Sequence, residues 1–450
     1  MVKEIRDSLV KPVINGAIWY LSSSSDKNLM RFATIAEKVD PIEYHKEGIR
    51  RFKELIKENH PGAQLGRRFL DEVNPNYRRG FINNFLVNTI MTGGPRRRRL
   101  LSEEGMYSPF AILISPTMRC NLRCKGCYAG NYAKKDDLEL EVIDRIISEA
   151  KEMGTYYFTI LGGEPFIRED MLKIYEKHND VAFQVFTNSY FLDDKLCDKL
   201  AKSGNVAPMM SLEGFKKETD ERRGEGTFRK VMEAMDRLKK RGILFGTSVV
   251  PTRFNIDTIT SNEFVNMLIE KGSFVIWYFL YMPVGKNPDL NLMPTPEQRN
   301  ELRIKTRGIR NNKPIFVVDF WGDAPLVGGC IAGREYIHIN SKGDVEPCIF
   351  AHFAVDNIKE KSLKEVFNSP FIKNIRGRIP YVPNLLRPCM IIDNPYVIRE
   401  VCKEMNPRPT HEGAEILLDG LASQLDEYAQ RVEEVYEPIW KKEYEHNFDS

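Results

Sequence analysis

The 450-residue sequence is short of several things, and each shortage closes off a class of protein. No apolar run approaches the roughly 20 residues a spanning helix needs, so no membrane span is expected. The apolar stretch "PVINGAIWYL" after the mixed-charge start lacks a small-residue cleavage site and is not read as a signal peptide. The net charge is only +3, too little for nucleic-acid binding by bulk electrostatics, and no nucleic-acid partner is expected. Eight cysteines are too few for a disulfide scaffold. The seven histidines have no paired metal-ligand spacing; His338 and His352 are read as structural. There is no long low-complexity tract. With 42% hydrophobic and 29% charged residues, the composition is that of an ordinary folded protein.

What is present is organised in four parts. Residues 1–105 read as a helical extension, in which "FINNFLVNTIMTGG" has helical apolar spacing and "PRRRR" follows. Residues 106–315 alternate strand and helix. "FAILISP" is a strand, and "LEVIDRIISEAKEMG" is a helix with Val142, Ile143, Ile146, Ile147 and Ala150 on one face. About six such units predict an α/β fold, a partial (β/α)6 TIM-like barrel with its helices outside; an open sheet is the alternative. Residues 316–410 are rich in Gly, Pro and Cys and read as a small module. Residues 411–450 carry a C-terminal helix over 412–440, with Leu417, Leu418, Leu421, Leu425, Tyr428 and Val432 on one stripe.

Three cysteines fall within eight positions, Cys120, Cys124 and Cys127, directly after the first barrel strand. Active sites of such folds lie where strands end. Three thiolates from one loop can hold three irons of a [4Fe–4S] cluster and leave the fourth iron without a protein ligand. A structural zinc or a redox-sensor triplet is the competing assignment, but no fourth Cys or His lies at zinc-finger spacing.

"CNLRCKGCY" resembles the signature of the radical S-adenosylmethionine (SAM) superfamily. The resemblance implies that SAM chelates the open iron and is cleaved on reduction to a 5′-deoxyadenosyl radical. It implies an electron donor such as flavodoxin or ferredoxin. One position departs from the pattern: Gly126 stands where relatives often have an aromatic residue. "GGEP" at the end of the second strand, Gly162, Gly163, Glu164 and Pro165, resembles the motif that meets the SAM ammonium group. A carboxylate and free carbonyls at such a bend can accept from an ammonium. Thr187 and Asn188, Ser211 and Glu213, and Arg223 match softer positions at later strand ends, Arg223 as a partner for the SAM carboxylate. Asn255 resembles another polar position. These matches span residues 110–260.

Cys330, Cys348, Cys389 and Cys402 form a second group. "CIAGREYIHINSKGDVEPC" resembles the opening of a SPASM or twitch module, which implies a second iron–sulfur cluster. Cys402 fits least, since "REVCKE" reads as a helix; without it, a non-cysteine ligand or the substrate completes the site. Zinc is the alternative occupant. Cys197 is read as a core thiol.

The motifs leave the substrate open. The apolar helix at 81–92 beside "PRRRR", with the apolar segment near 13–20, suggests a lipid chain and peripheral contact with a membrane from the cytoplasm. The alternative is a peptide or protein, as in many enzymes with an auxiliary cluster. A reading of another class is an iron–sulfur electron carrier or redox regulator, in which "GGEP" has no use. No hydrogen donor or acid–base residue is assigned; Asp319, Asp323 and Tyr336 stand in suitable places without a motif.

Overall fold

The computed structural model describes residues 43–445 without a break, together with Met30, Ala33, Thr34, Glu37 and Lys38. The apolar segment near 13–20 lies outside the described residues. Among the described residues no helix is long and apolar enough to cross a membrane.

Nine strands form one curved sheet, the partial barrel expected from the alternation. They are β1 (Ala111–Thr117), β2 (Tyr157–Gly162), β3 (Ala182–Thr187), β4 (Val206–Leu212), β5 (Gly246–Val249), β6 (Val275–Tyr278), β7 (Phe316–Asp319), β8 (Tyr336–Ile339) and β9 (Val345–Glu346). Their order is β7-β6-β5-β4-β3-β2-β1-β8-β9. β1 to β7 run parallel with helices between them, because each crossover helix buries one apolar stripe against the sheet. In the helix Leu140–Glu152 that stripe is Ile143, Ile146, Ile147 and Ala150; Val142 lies at its half-buried edge.

The sheet does not stop at residue 315. β7 extends it at one edge, and β8 pairs in parallel with β1 at the other, Ile112 opposite Ile337 and Ile114 opposite Ile339. The hairpin β8–β9 of the cysteine-containing module is therefore part of the same sheet. A buried polar chain reinforces the seam. Ser115 Oγ lies 2.7 Å from His338 Nε2, and His338 Nδ1 lies 2.6 Å from Glu346 Oε2. Tyr132 donates to Glu346 Oε1 at 2.6 Å.

The segment Pro61–Glu104 closes the N-terminal ends of the strands. Tyr77 donates its hydroxyl to the Val206 carbonyl at 2.7 Å, where β4 begins. Asn84 donates to the Val181 carbonyl before β3, and Arg68 to the Pro314 carbonyl before β7. The helix expected over 81–92 is a π-helix and includes Gly93, Phe81–Gly93. Its wider turn directs Asn84 and Asn88 onto the carbonyls of Asn179, Asp180 and Val181.

The C-terminal helix begins later than its apolar stripe suggested, at Ala422, and runs to Glu443. A short 3-10 turn, Ala414–Leu417, precedes it. The buried stripe is Leu425, Ala429, Val432, Tyr436 and Trp440. Glu443 anchors its end on Arg303 at 2.7 Å and Arg307 at 2.9 Å. These hydrogen bonds hold the Glu443 carboxyl down at about 2. A pKa lowered in the folded state stabilises above the unfolded carboxylate value and loses that contribution as pH falls towards the folded one. Glu443→Gln is expected to lower the melting temperature at pH 7. The gap from wild type should shrink as pH drops from about 5 to 3, as calorimetry of the apoprotein would record.

Candidate active site

The cysteine loop leaves β1 past an irregularity in its pairing with β2, between Ile114 and Thr117. Cys120 Sγ accepts from the Leu122 backbone N–H at 3.4 Å and from Asn188 Nδ2 at 3.6 Å. Asn188 also donates to Asn121 Oδ1 at 2.8 Å, so the end of β3 holds the loop. The positive charges of Arg222 and Arg223 act on Cys124. Burial pushes the Cys120 thiol up to about 11 and raises Cys124, with Arg223 offsetting part of the rise there. A bound metal would therefore have to displace protons to bind here.

Gly126 explains its own departure from the family pattern. Its φ is +60°, and a Cβ there would lie 2.5 Å from the Tyr281 ring. Tyr281, buried, accepts from the Asp289 N–H at 3.0 Å. An aromatic ring thus sits against this position but comes from the segment after β6. Gly126→Ala combines that clash with a left-handed backbone costing about 1–3 kcal/mol. The variant is expected to take up less iron at the loop on anaerobic reconstitution, read by iron analysis against wild type.

The "GGEP" bend packs on the protein's own backbone. Gly163 donates its N–H to the Thr117 carbonyl and Glu164 to the Arg119 carbonyl, at 3.0 and 2.8 Å. A Cβ at Gly163 would stand 2.1 Å from the Arg119 oxygen, and one at Gly162 2.4 Å from the Thr117 oxygen. The glycines' first use is therefore this close approach to β1 and the cysteine loop. Glu164 is fully buried. Its carboxylate accepts from Phe166 N, Thr187 Oγ1 and Asn188 N at 3.1, 2.8 and 2.7 Å. That takes three of about four acceptor sites. Burial raises Glu164 to about 7, against these hydrogen bonds. Tyr128 donates to the Gly162 carbonyl at 3.3 Å.

Arg223 is engaged with the protein as well. Its Nε donates to Glu213 Oε1 at 2.6 Å, and Arg222 donates to the same oxygen at 2.5 Å. Glu213 Oε2 is buried without a partner. Asn255 donates to the Glu213 carbonyl at 2.9 Å and ties the end of β5 to that of β4. Ser211 lies half-buried on β4. Sequence reasoning missed Arg222, Tyr281 and Asn121. Only "DERRGEGTF" carried a local signal, a doubled arginine at the helix end.

Inside the barrel, β6 alternates: Ile276 and Tyr278 are fully buried towards the helices, and Trp277 faces the other way. Trp277 stacks on Phe279, which meets Phe186 and Phe320; Trp321 then meets Phe350, and Phe350 meets Tyr128, with centroids 5.2 to 6.4 Å apart. This row carries no charge and runs from beside Asn188 to the ring next to Cys127. The indole N–H groups of Trp277 and Trp321 are buried without partners.

In the module, Cys330, Cys348 and Cys389 lie close enough for their charges to act together on Tyr336 and Tyr381. Cys402 is not among them; it stands on the helix Pro395–Met405, and burial alone lifts it to about 12. Cys197 is fully buried in the core. Cys348 Sγ accepts from Phe350 N at 3.5 Å, and Cys389 Sγ from Ile391 N at 3.4 Å. Asp323 is held by Arg310 at 2.8 Å, and Asp319 is buried and raised to about 6 by that burial. His352 is buried, which lowers it to about 4, and it faces His411 at 2.6 Å. Among the described residues no three His, Cys, Asp or Glu side chains converge on a single-ion site, but the sulfurs of Cys120, Cys348 and Cys389 receive N–H donors, surroundings that suit the thiolates of an iron–sulfur centre.

Comparison with known proteins agrees with that chemistry. Residues 114–265 match the family model of the radical SAM superfamily, and residues 330–390 match SPASM, an iron–sulfur cluster-binding domain. The mycofactocin maturase MftC of Mycolicibacterium smegmatis is 30% identical over 264 residues, 55% of this chain and 66% of that protein. A PqqA peptide cyclase from Granulibacter bethesdensis is 24% identical over 310 residues, 62% of this chain and 79% of that protein. The structure of Streptococcus suis SuiB bound to its precursor peptide SuiA has the same fold, with a TM-score of 0.52 and 21% identity over 72% of this chain and 79% of that one. The cysteine loop at the mouth of a partial barrel, followed by a thiol-bearing module in the same sheet, places this chain among the radical SAM enzymes with a SPASM-type iron–sulfur domain.

Proposed function

We propose that the protein modifies a peptide or protein substrate by radical SAM chemistry. Cys120, Cys124 and Cys127 hold the SAM-binding cluster, and Cys330, Cys348 and Cys389 hold an auxiliary cluster. A reduced cluster held there would supply the electron for cleavage of SAM to a 5′-deoxyadenosyl radical, which is able to take hydrogen from an unactivated C–H bond.

The chain's own residues do the positioning. Asn188 fixes the cysteine loop through Cys120 and Asn121. Gly162 to Pro165, with Thr187, offer the SAM ammonium the carbonyls of the bend and the remaining acceptor capacity of Glu164. Arg223 would meet the SAM carboxylate with whatever its fork does not give to Glu213, and Ser211 lies along the same rim. The row from Phe186 to Phe350 excludes water and accepts an uncharged group between the two thiol groups.

One observation carries the preference for peptide over lipid. The described part of the N-terminal extension, which suggested a lipid, closes the strand ends away from the cysteine loop. Leu86, Ile90 and Met91 are exposed there, beside Arg96, Arg98 and Arg99, on the opposite mouth from the chemistry. The names of PqqA peptide cyclase and of the SuiB–SuiA complex add support for a peptide.

The test is formation of 5′-deoxyadenosine by the reconstituted enzyme with fractions from its own cells. A peptide fraction is expected to raise the rate above the substrate-free level, and protease treatment of that fraction to remove the effect. Stimulation by the lipid extract instead would restore the lipid reading.

A further inference from the structure

Two phenols stand among the auxiliary thiols. Tyr336, at the start of β8 and buried, places its hydroxyl 3.2 Å from Cys348 Sγ. Tyr381 stands beside Cys330, and its hydroxyl donates to Met390 Sδ at 3.6 Å. The Tyr381 carbonyl accepts from Tyr396 at 3.3 Å, which fixes its backbone. Backbone N–H groups already serve all three thiols, from Ala332 to Cys330, Phe350 to Cys348 and Ile391 to Cys389. The phenols are additional, Tyr336 on Cys348 and Tyr381 beside Cys330.

We infer that Tyr336 and Tyr381 are positioning residues that donate hydrogen bonds to the auxiliary cluster's thiolates and hold its reduction potential up. This rests on the reading that Cys330, Cys348 and Cys389 carry that cluster. The direction of donation follows from the chemistry. A coordinating thiol is deprotonated, so it can only accept, and a phenol beside it must donate. A donor to sulfur stabilises the more negative, reduced state, so its removal makes the cluster harder to reduce. The buried site strengthens the effect, because no water replaces a lost donor. The competing role for either phenol is as a direct iron ligand in place of a fourth thiol.

The full chain carrying Cys120→Ala, Cys124→Ala and Cys127→Ala isolates the auxiliary cluster. In that background Tyr336→Phe and Tyr381→Phe are compared by iron analysis and by redox titration followed with electron paramagnetic resonance. Each variant is expected to keep its iron and to shift the reduction equilibrium about tenfold towards the oxidised form, about 59 mV for one electron. With tyrosine labelled with 13C at the ring carbon that bears the hydroxyl, pulsed resonance should detect 13C coupled to the reduced cluster when both tyrosines are present, a signal the backbone N–H groups cannot give. That second measurement holds even where a phenylalanine variant fails to fold. An unmoved potential, or no coupled 13C, overturns the inference. Conversion to a three-iron signal overturns it too, in favour of ligation. If the triple-alanine background itself holds no iron, the auxiliary-cluster reading falls first; iron present with both potentials unmoved sinks only the tyrosines.

Discussion

Replacing Cys120, Cys124 and Cys127 together by alanine is expected to abolish 5′-deoxyadenosine formation while leaving about four irons per chain. The two halves of that result have separate causes. Among the described residues the loop's thiols are the only cysteines between β1 and β2, and neither Glu164 nor Arg223 substitutes for them, since both are bonded to the protein itself. The module's thiols hang on β8, β9 and the loop before the helix Pro395–Met405, none of which the substitutions touch. The measurement is product chromatography after dithionite reduction, with iron counted on the same sample. Loss of all the iron would mean that the module carries no cluster of its own.

The second large effect is on stability. Arg299 and Asp393 form an ion pair at 2.6 Å with side chains only 2% and 0% exposed. Asp393 also accepts the Cys389 N–H at 3.0 Å, so the pair joins the helix Pro296–Asn312 to the cysteine module. Asp393→Ala leaves a guanidinium buried without its counter-charge, which costs about 3–5 kcal/mol. It also frees the Cys389 backbone. Arg299→Met with Asp393→Leu removes both charges and keeps the volume, and such replacements are close to neutral. Thermal unfolding of the anaerobically reconstituted protein is therefore expected to show a large drop for the single variant and recovery of most of it in the double. The non-additivity is the diagnostic, since neighbours that share a buried charge do not add. A double variant as unstable as the single would mean that the charges themselves are needed.

Much of the barrel was legible because its signals are local. The strand–helix alternation and the stripe on Leu140–Glu152 follow from burial of one helix face, which the sequence writes at short range. The cysteine loop was legible for the same reason. What escaped depends on partners far along the chain. Nothing in "EYIHINSKGDVEPC" indicates that β8 will pair with β1, more than 200 residues earlier. The glycines of "GGEP" were recognised, but not their packing on Thr117 and Arg119. Arg223 was expected to face SAM, and the structure gives two of its donor positions to Glu213. Cys402 shared a chain segment with the other module thiols but not their place, because its helix stands apart from the loops that gather them. The widened helix at Phe81–Gly93 has the apolar spacing of an ordinary helix; its extra width serves asparagine contacts that no periodicity encodes.

The most direct test of the central claim is anaerobic reconstitution of the unaltered chain, metal analysis, and a search for 5′-deoxyadenosine after reduction in the presence of SAM. Two four-iron clusters predict about eight irons per chain and reductive cleavage of SAM. Bound zinc in place of iron, with SAM left intact, would contradict the account.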